Sequence, residues 1–205
     1  MKLIGIIDYQ MSNLYSVYKA IEKVNGVPKI ISNPEELKTI SKVILPGVGS
    51  FDSAIHSLQK KHFIEPLKTY IKNGMPFLGI CLGFQLLMQS SEEGKLEGLG
   101  IVQGKVKKFD KNLVKNIPHI GWNSIQITNY RSPLWVDFNT SLWFYFIHSY
   151  YVCLDNKNIE SALVKYDDLK FTVAISLDNI MAVQFHPEKS SQSGLTILKN
   201  FTKMS

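Results

Sequence analysis

Cysteine is scarce in this chain: two residues, Cys81 and Cys153, among 205. Two thiols make no disulfide framework, so a reducing compartment is expected, the cytoplasm or a plastid stroma. Long apolar runs are missing as well, and none would span a bilayer. Met1 to Asp8 does not read as a signal peptide, because its apolar run is short and an Asp ends it. Acidic residues are outnumbered, 17 Asp and Glu against 23 Lys and Arg. That surplus is spread out, with a mild concentration at Lys105, Lys107, Lys108, Lys111 and Lys115. It is not interleaved with aromatics as a nucleic-acid face would be, and reads as a solvated face or a dock for an acidic partner. There is no Pro-rich or Gly/Ser-rich linker, no repeat and no low-complexity segment. His56 and His62 have no partner at metal-ligand spacing and read as surface residues. What remains is a single domain over residues 1–205, with no metal or cofactor implied.

The first half alternates strands and helices. Leu3 to Ile7, Val27 to Ile31 and Lys42 to Leu45 read as buried strands of the parallel kind. Between them Leu14, Val17, Tyr18, Ile21 and Val24 recur at helical spacing, with Asn25-Gly26 as the stop. A second helix starts at Pro34, capped by Ser32 or Asn33. Phe51 to Ile71 reads as helix in two pieces, joined at a solvated Lys60-Lys61-His62, with Ser50 as cap. This is the pattern of an open, mostly parallel α/β sheet covered by helices on both faces. From Gly98 on, short strand-like runs replace it, so the second half is β-rich, mixed or antiparallel. A last helix runs from Gln192 to about Met204, capped by Ser190 or Ser191.

Sites in such sheets lie beyond the carboxyl ends of the strands. Asp8 to Asn13, Pro46-Gly47-Val48-Gly49 and Cys81 all meet that condition. Met75 to Ile80 reads as a strand and Leu82, Leu86, Leu87 as a helix, which places Cys81 on the turn between them. Gly79 and Gly83 stand two residues either side, the Cys form of a nucleophile elbow. Two readings stay open from these residues alone: a small buried hydrophobe, or a thiol whose thiolate is favoured by a helix N-terminus. A second group bears on the choice. His186 follows the apolar run Met181 to Phe185, and Glu188 stands two residues on, across Pro187. A thiol needs a base, and the base needs an orienting group.

Gly79-Ile80-Cys81-Leu82-Gly83-Phe84-Gln85 with Gln184-Phe185-His186-Pro187-Glu188 resembles the class I glutamine amidotransferases, whose fold is flavodoxin-like. More narrowly, Pro46 to Gly49, Pro118-His119-Ile120-Gly121-Trp122-Asn123, His148-Ser149-Tyr150 and Glu188-Lys189-Ser190 are similar to the glutaminase-subunit family of imidazole glycerol phosphate synthases. The resemblance runs from the first strand to the final helix. It implies a Cys81, His186, Glu188 triad that hydrolyses glutamine through a thioester. It implies an oxyanion hole from the Leu82 N–H and the turn at Val48 and Gly49, the latter conditional on the partner. Gly49, Gln85, Glu93, Ser149 and Tyr150 would hold glutamine, and no cofactor is needed. Asn13, Trp122, Asn123, Tyr145 and Lys189 would face the partner, a (β/α)8 cyclase subunit receiving the ammonia in a heterodimer. The family's Asp-Tyr-Gly-x-Gly-Asn-Leu stands here as Asp8-Tyr9-Gln10-Met11-Ser12-Asn13-Leu14. Both glycines are replaced, and the alternative that goes with this is the same chemistry feeding a paralogous sugar-amidating synthase. A stand-alone Cys hydrolase would not need Gln85 or Glu93.

Overall fold

The computed structural model describes residues 2–11, 13–136, 138 and 142–204. Its first half runs β1 (Leu3–Ile7), α1 (Leu14–Lys23), β2 (Val27–Ile31), β3 (Lys42–Leu45), α2 (Phe51–Lys60), α3 (Ile64–Lys72), β4 (Phe77–Ile80) and α4 (Leu82–Gln85). Then follow β5 (Ser90–Ser91), β6 (Gly104–Lys108), β7 (His119–Ile127), β8 (Trp143–His148), β9 (Tyr150–Leu154), β10 (Glu160–Tyr166), β11 (Leu169–Leu177), β12 (Ile180–Val183) and α5 (Ser191–Lys203). The main sheet has the order β2-β1-β3-β4-β12-β11-β10-β7-β8. Its first five strands are parallel; from β11 on the pairing is antiparallel. This is the mixed α/β architecture that the sequence implies.

The parallel strands read as unbroken apolar runs because both faces are buried. Ile7, Val43, Leu45 and Phe77 turn to one side, against Phe51, Leu58, Leu67 and Ile71 of α2 and α3. Ile4, Ile6, Ile44, Leu78 and Ile80 turn to the other, against Val17 and Ile21 of α1 and Ile197, Leu198 and Phe201 of α5. The carboxyl ends of β1, β3, β4 and β12 therefore open on one edge of the sheet, and the loops that carry the site all spring from there.

Several local expectations give way. Residues Pro34–Thr39 form a 3-10 helix rather than an α-helix, capped by the Asn33 side chain. At the end of α1, Asn25 takes the left-handed conformation (φ 62°), a role the short Asx side chain tolerates. Ser90–Ser91 form the short strand β5, which pairs parallel with β6. The helix after Cys81 is a single turn, because the Leu86, Leu87 and Met88 carbonyls are taken by the amides of Leu99, Gly100, Ile101 and Val102. Neither Ser50 nor Ser190 caps its helix through its side chain. The Lys60–His62 joint is not simply solvated: Lys61 Nζ donates to the Asp8 carbonyl at 2.7 Å.

Candidate active site

Cys81 leaves β4 with φ 54° and ψ −108°. A side chain at positive φ is strained by about 1–3 kcal/mol and persists only where its surroundings over-determine it. Here they do. The Cys81 N–H donates to the Val183 carbonyl of β12 at 2.8 Å, and the Cys81 carbonyl accepts from the N–H groups of Phe84 and Gln85. Gly83 sits where a Cβ would lie 1.8 Å from the Leu45 carbonyl oxygen. The elbow is thus wedged against β3 and tied to β12. The Leu82 N–H opens a helical turn and has no intrahelical acceptor. A one-turn helix supplies local amides here rather than the long dipole expected from the sequence.

His186 follows β12 and is buried. Its Nδ1 lies 2.8 Å from Glu188 Oε1, so the carboxylate fixes the ring and Nε2 is the free nitrogen. Nε2 is buried and makes no hydrogen bond in this structure. Burial pushes the imidazole's pKa down, but the charges of Cys81 and Glu188 outweigh this and hold it well above the usual histidine range. Ser190 serves the same junction: it accepts from the Tyr145 N–H at 2.9 Å and donates to the His186 carbonyl at 2.6 Å.

Cys81 and His186 open on a cavity of about 290 Å³ lined also by Val48, Gly49, Leu82, Gln85, Glu93, Pro118, Ile147, His148, Ser149 and Tyr150. That is the small end of small-molecule sites and suits an amino-acid-sized ligand. All the residues expected to bind substrate or oxyanion line it. Glu188 lies behind His186. Glu93 is anchored, its Oε2 accepting from the Phe51 N–H at 2.8 Å. It caps α2 in place of Ser50. Burial raises its pKa, the Phe51 N–H works against this, and nearby Asp52 adds to it. Both hydrogens of Gln85 Nε2 are spent, on the Tyr150 carbonyl (2.9 Å) and Gln184 Oε1 (3.0 Å). Only its Oε1 is left to meet a ligand donor.

The turn at Pro46–Gly49 differs from expectation in one respect. The Val48 N–H, a candidate oxyanion donor, is donated to the Met11 carbonyl at 2.7 Å, so in this state it is turned away from Cys81. Gly49 holds φ 98°, and a Cβ there would meet Met11 Cε at 2.8 Å. Met11 belongs to the loop in which the family's glycines are replaced. Gln10 keeps a positive φ of 68° where the family has glycine. Ser12 lies outside the described residues.

The residues expected to face a partner divide. β7 pairs with β8 so that Ile120 lies opposite Ile147, Trp122 opposite Tyr145 and Ser124 opposite Trp143. On this outer face Ile120, Trp122, Trp143 and Ile147 are all 41–56% exposed. Lys189 Nζ stands 6.0 Å from the Tyr145 ring centre, and exposed Asn13 shares with Lys189 a small crevice beside His186 and Glu188. Asn123 is the exception. Strand alternation turns it to the inner face, where Nδ2 contacts His119 Nε2 and the Lys165 carbonyl. Sequence reading assigned no role to His119, His148 or Gln184; their signal lay inside motifs already used for neighbours. Among the described residues no group of His, Cys, Asp and Glu could hold a metal ion. No helix among them is long and apolar enough to cross a membrane.

A family model described as glutamine amidotransferase class-I matches residues 5–204. The chain belongs to the class I glutamine amidotransferases. The subunit hisH of imidazole glycerol phosphate synthase from Cyanophora paradoxa is 50% identical over 202 residues, covering 98% of this chain and 94% of that protein. The corresponding subunit from Nostoc punctiforme is 46% identical over 201 residues, covering 98% and 95%. The chain is therefore also a member of this glutaminase-subunit family. Among solved structures, PurLQS from Thermotoga maritima superposes with a TM-score of 0.76 at 15% identity, covering 98% of this chain and 97% of that one. A putative GMP synthase subunit from Thermoplasma acidophilum gives 0.73 at 19% identity, covering 98% and 92%. At such identities these two speak for the fold alone.

Proposed function

We propose that this chain is the glutaminase subunit of an imidazole glycerol phosphate synthase, residues 1–205 forming one glutaminase domain. The observation that carries the reading is the meeting of Cys81 and the His186–Glu188 pair at one amino-acid-sized cavity, in a chain of this family. Cys81 Sγ attacks the side-chain amide carbon of glutamine. The oxyanion takes the Leu82 N–H and a second donor from the Val48–Gly49 turn. His186 gives a proton to the leaving nitrogen as the C–N bond breaks, which leaves a thioester and ammonia. It then takes a proton from water, which attacks the thioester to release glutamate and restore Cys81. Glu188 holds the ring throughout. Glu93 meets the α-ammonium of glutamine, and Gly49, Gln85, Ser149 and Tyr150 complete its pocket.

Ammonia set free in water is protonated and lost as a nucleophile, so the chain works with a synthase. We assign this partner as the cyclase subunit, in a heterodimer in histidine biosynthesis. The outer face of β7 and β8 supports an interface there, since apolar groups of this size seldom cluster exposed on a monomer. Trp122 and Tyr145 belong to these strands, Lys189 stands beside Tyr145, and Asn13 shares a crevice with Lys189. Two unpaired thiols suit the cytoplasm or a plastid stroma.

The test is glutamate release by the chain alone, with the cyclase subunit, and with that subunit plus its phosphoribosyl-bearing intermediate. Hydrolysis should be slow alone and rise with the liganded partner. Full activity in the isolated chain would favour a stand-alone hydrolase, and activation only by a sugar-amidating synthase would overturn the choice of partner.

A further inference from the structure

In the pocket wall and behind it, His148 and His119 carry a chain of hydrogen bonds that the triad does not use. His119 and His148 are register partners on β7 and β8, with His119 Nδ1 3.1 Å from His148 Nε2. His148 Nδ1 lies 2.8 Å from the Tyr150 carbonyl oxygen. Asn123 Nδ2 lies 3.3 Å from His119 Nε2 and 3.2 Å from the Lys165 carbonyl oxygen. A carbonyl only accepts, so His148 carries its hydrogen on Nδ1. Burial lowers the pKa of His148 to about 3 and that of His119 to about 4, so both rings are neutral. His148 Nε2 is then an acceptor, His119 donates to it from Nδ1, and His119 Nε2 accepts from Asn123. With a backbone carbonyl at each end, one proton arrangement fits the whole chain. Few titratable groups face it: Asp167 and the stacked Tyr166 on the His119 side, His186 on the His148 side.

The Tyr150 carbonyl is where this chain meets the site. It also accepts from Gln85, whose other N–H goes to Gln184 Oε1. Gln184 is fully buried and so turns its Nε2 to Cys81, 3.7 Å from Sγ. Reversing Gln85 would set its oxygen against the Tyr150 and Gln184 oxygens, and reversing Gln184 would set its N–H groups against those of Gln85, at a cost of about 1–3 kcal/mol for each buried group left unsatisfied.

We propose that His148, with His119 behind it, is a positioning residue for the nucleophile. By holding the Tyr150 carbonyl it fixes the orientation of Gln85 and Gln184, and so the N–H that Gln184 presents to the Cys81 sulfur. The glutamine measurement in the test below rests on the glutaminase reading; the sulfur measurement does not.

The test compares His148→Asn with His148→Gln. Asparagine places an N–H where histidine has Nδ1 and keeps the bond to Tyr150; glutamine reaches the Nε2 position instead and loses it. Iodoacetamide alkylates the thiolate, the S–C bond forming as iodide leaves, and peptide masses separate Cys81 from Cys153. His148→Gln should slow Cys81 alkylation at neutral pH about tenfold and move its pH midpoint up by about one unit. It should also raise the KM for glutamine by a larger factor than it lowers kcat. His148→Asn should return both to within about threefold of the unaltered chain, with Cys153 labelled alike in all. Equal behaviour of the two variants, or a Cys81 profile that moves in neither, overturns the proposal. Should neither fold, His119→Asn and His119→Gln make the same comparison one ring back and are read in the same way. If the unaltered chain never turns over glutamine even with the liganded cyclase subunit while the alkylation pattern holds, the glutaminase reading fails and the positioning role stands.

Discussion

Two turns flank the Cys81 sulfur, and they are held very differently. The elbow is strained at Cys81 but hydrogen-bonded to β12 through the Val183 carbonyl and wedged at Gly83 against the Leu45 carbonyl. The Pro46–Gly49 turn has two tethers: the Val48 N–H to the Met11 carbonyl, and the Tyr9 hydroxyl to the Pro46 carbonyl at 2.9 Å. Both springing points are strand ends of the same sheet. The difference is that a nucleophile must be fixed before substrate arrives, whereas an oxyanion donor can be withheld. A glutaminase that should not waste glutamine can be controlled on the second turn without disturbing the first. Control of this kind needs an element with two states that both sites bias, and the turn fits that description.

The comparison is broken hardest at Gly83. Gly83→Ala places a methyl 1.8 Å from the backbone oxygen of Leu45, with no flexible side chain to yield. We expect a loss of more than about 3 kcal/mol, read as a large drop in melting temperature and lost activity. Gly49→Ala is strained by its φ of 98°, but its close neighbour is the end of the Met11 side chain. It should cost about 1–2 kcal/mol and leave the fold standing. Equal damage from the two would mean that the turns are equally fixed.

Within the elbow, Cys81→Ser should abolish labelling by a glutamine-analogue electrophile, and label found on Cys153 instead would displace the nucleophile. Burial raises the Cys153 thiol's pKa, with nearby lysines opposing it, so it should stay unlabelled. His186→Ala should cost roughly 10²–10⁴ in kcat, because His186 moves protons. Glu188→Gln should cost less, since Glu188 only orients the ring. Negligible loss from both would refute the triad. On the side of the Pro46–Gly49 turn, withdrawing one oxyanion donor costs about 10²–10³ in rate, and this is the activation expected from a liganded partner. Gly49→Ala should lower the activated rate while the rate of Cys81 labelling by iodoacetamide stays within about twofold.

What the sequence disclosed follows the same division. The turn between Gly79 and Gly83 and the pairing of His186 with Glu188 were legible at short range, because a sharp turn needs its glycines and a base needs its orienting group; a nucleophilic role for Cys81, rather than a buried hydrophobe, came only with the family resemblance. The parallel strands were legible from their apolar runs. Long-range partners were not. Nothing local told that Val48 donates to Met11, or that Glu93 rather than Ser50 caps α2 from 42 residues away. The facing of Asn123 turned on the start of β7: counted from Trp122 as surface, alternation already puts it inside. The His119–His148 contact needed the β7–β8 register, which no turn signal fixed.

The fixed side of the site carries the buried neutral histidines, and this gives a pH signature. His148 and His119 stay neutral in the folded state, with pKa values of about 3 and 4, but take protons near pH 6.5 when unfolded. The unfolded chain therefore binds more protons below pH 6.5, and stability falls as pH drops through the window from about 6.5 to 4. Each ring contributes up to about 1.4 kcal/mol per pH unit there. Chemical denaturation at pH 7 and pH 5 should show the loss, and His148→Asn should shrink it. An unchanged slope would mean that the rings are not neutral in the fold.

The smallest effect separates the two turns most cleanly. Tyr9 is fully buried, and Gly47 leaves room for its hydroxyl: a Cβ there would lie 2.3 Å away. Tyr9→Phe keeps the ring and removes one tether of the Pro46–Gly49 turn, leaving the elbow's own hydrogen bonds in place. A hydrogen bond of this kind is worth about 1 kcal/mol net, about fivefold in an equilibrium. If that tether helps to hold the Val48 N–H away, the isolated chain should hydrolyse glutamine up to about fivefold faster. Iodoacetamide should label Cys81 as before, because sulfur and elbow are unchanged. A lower melting temperature with no change in basal rate would show that Met11 alone sets the resting state of the turn. A change in Cys81 labelling would show that the turns are mechanically joined, and that the site has one adjustable wall where two are drawn here.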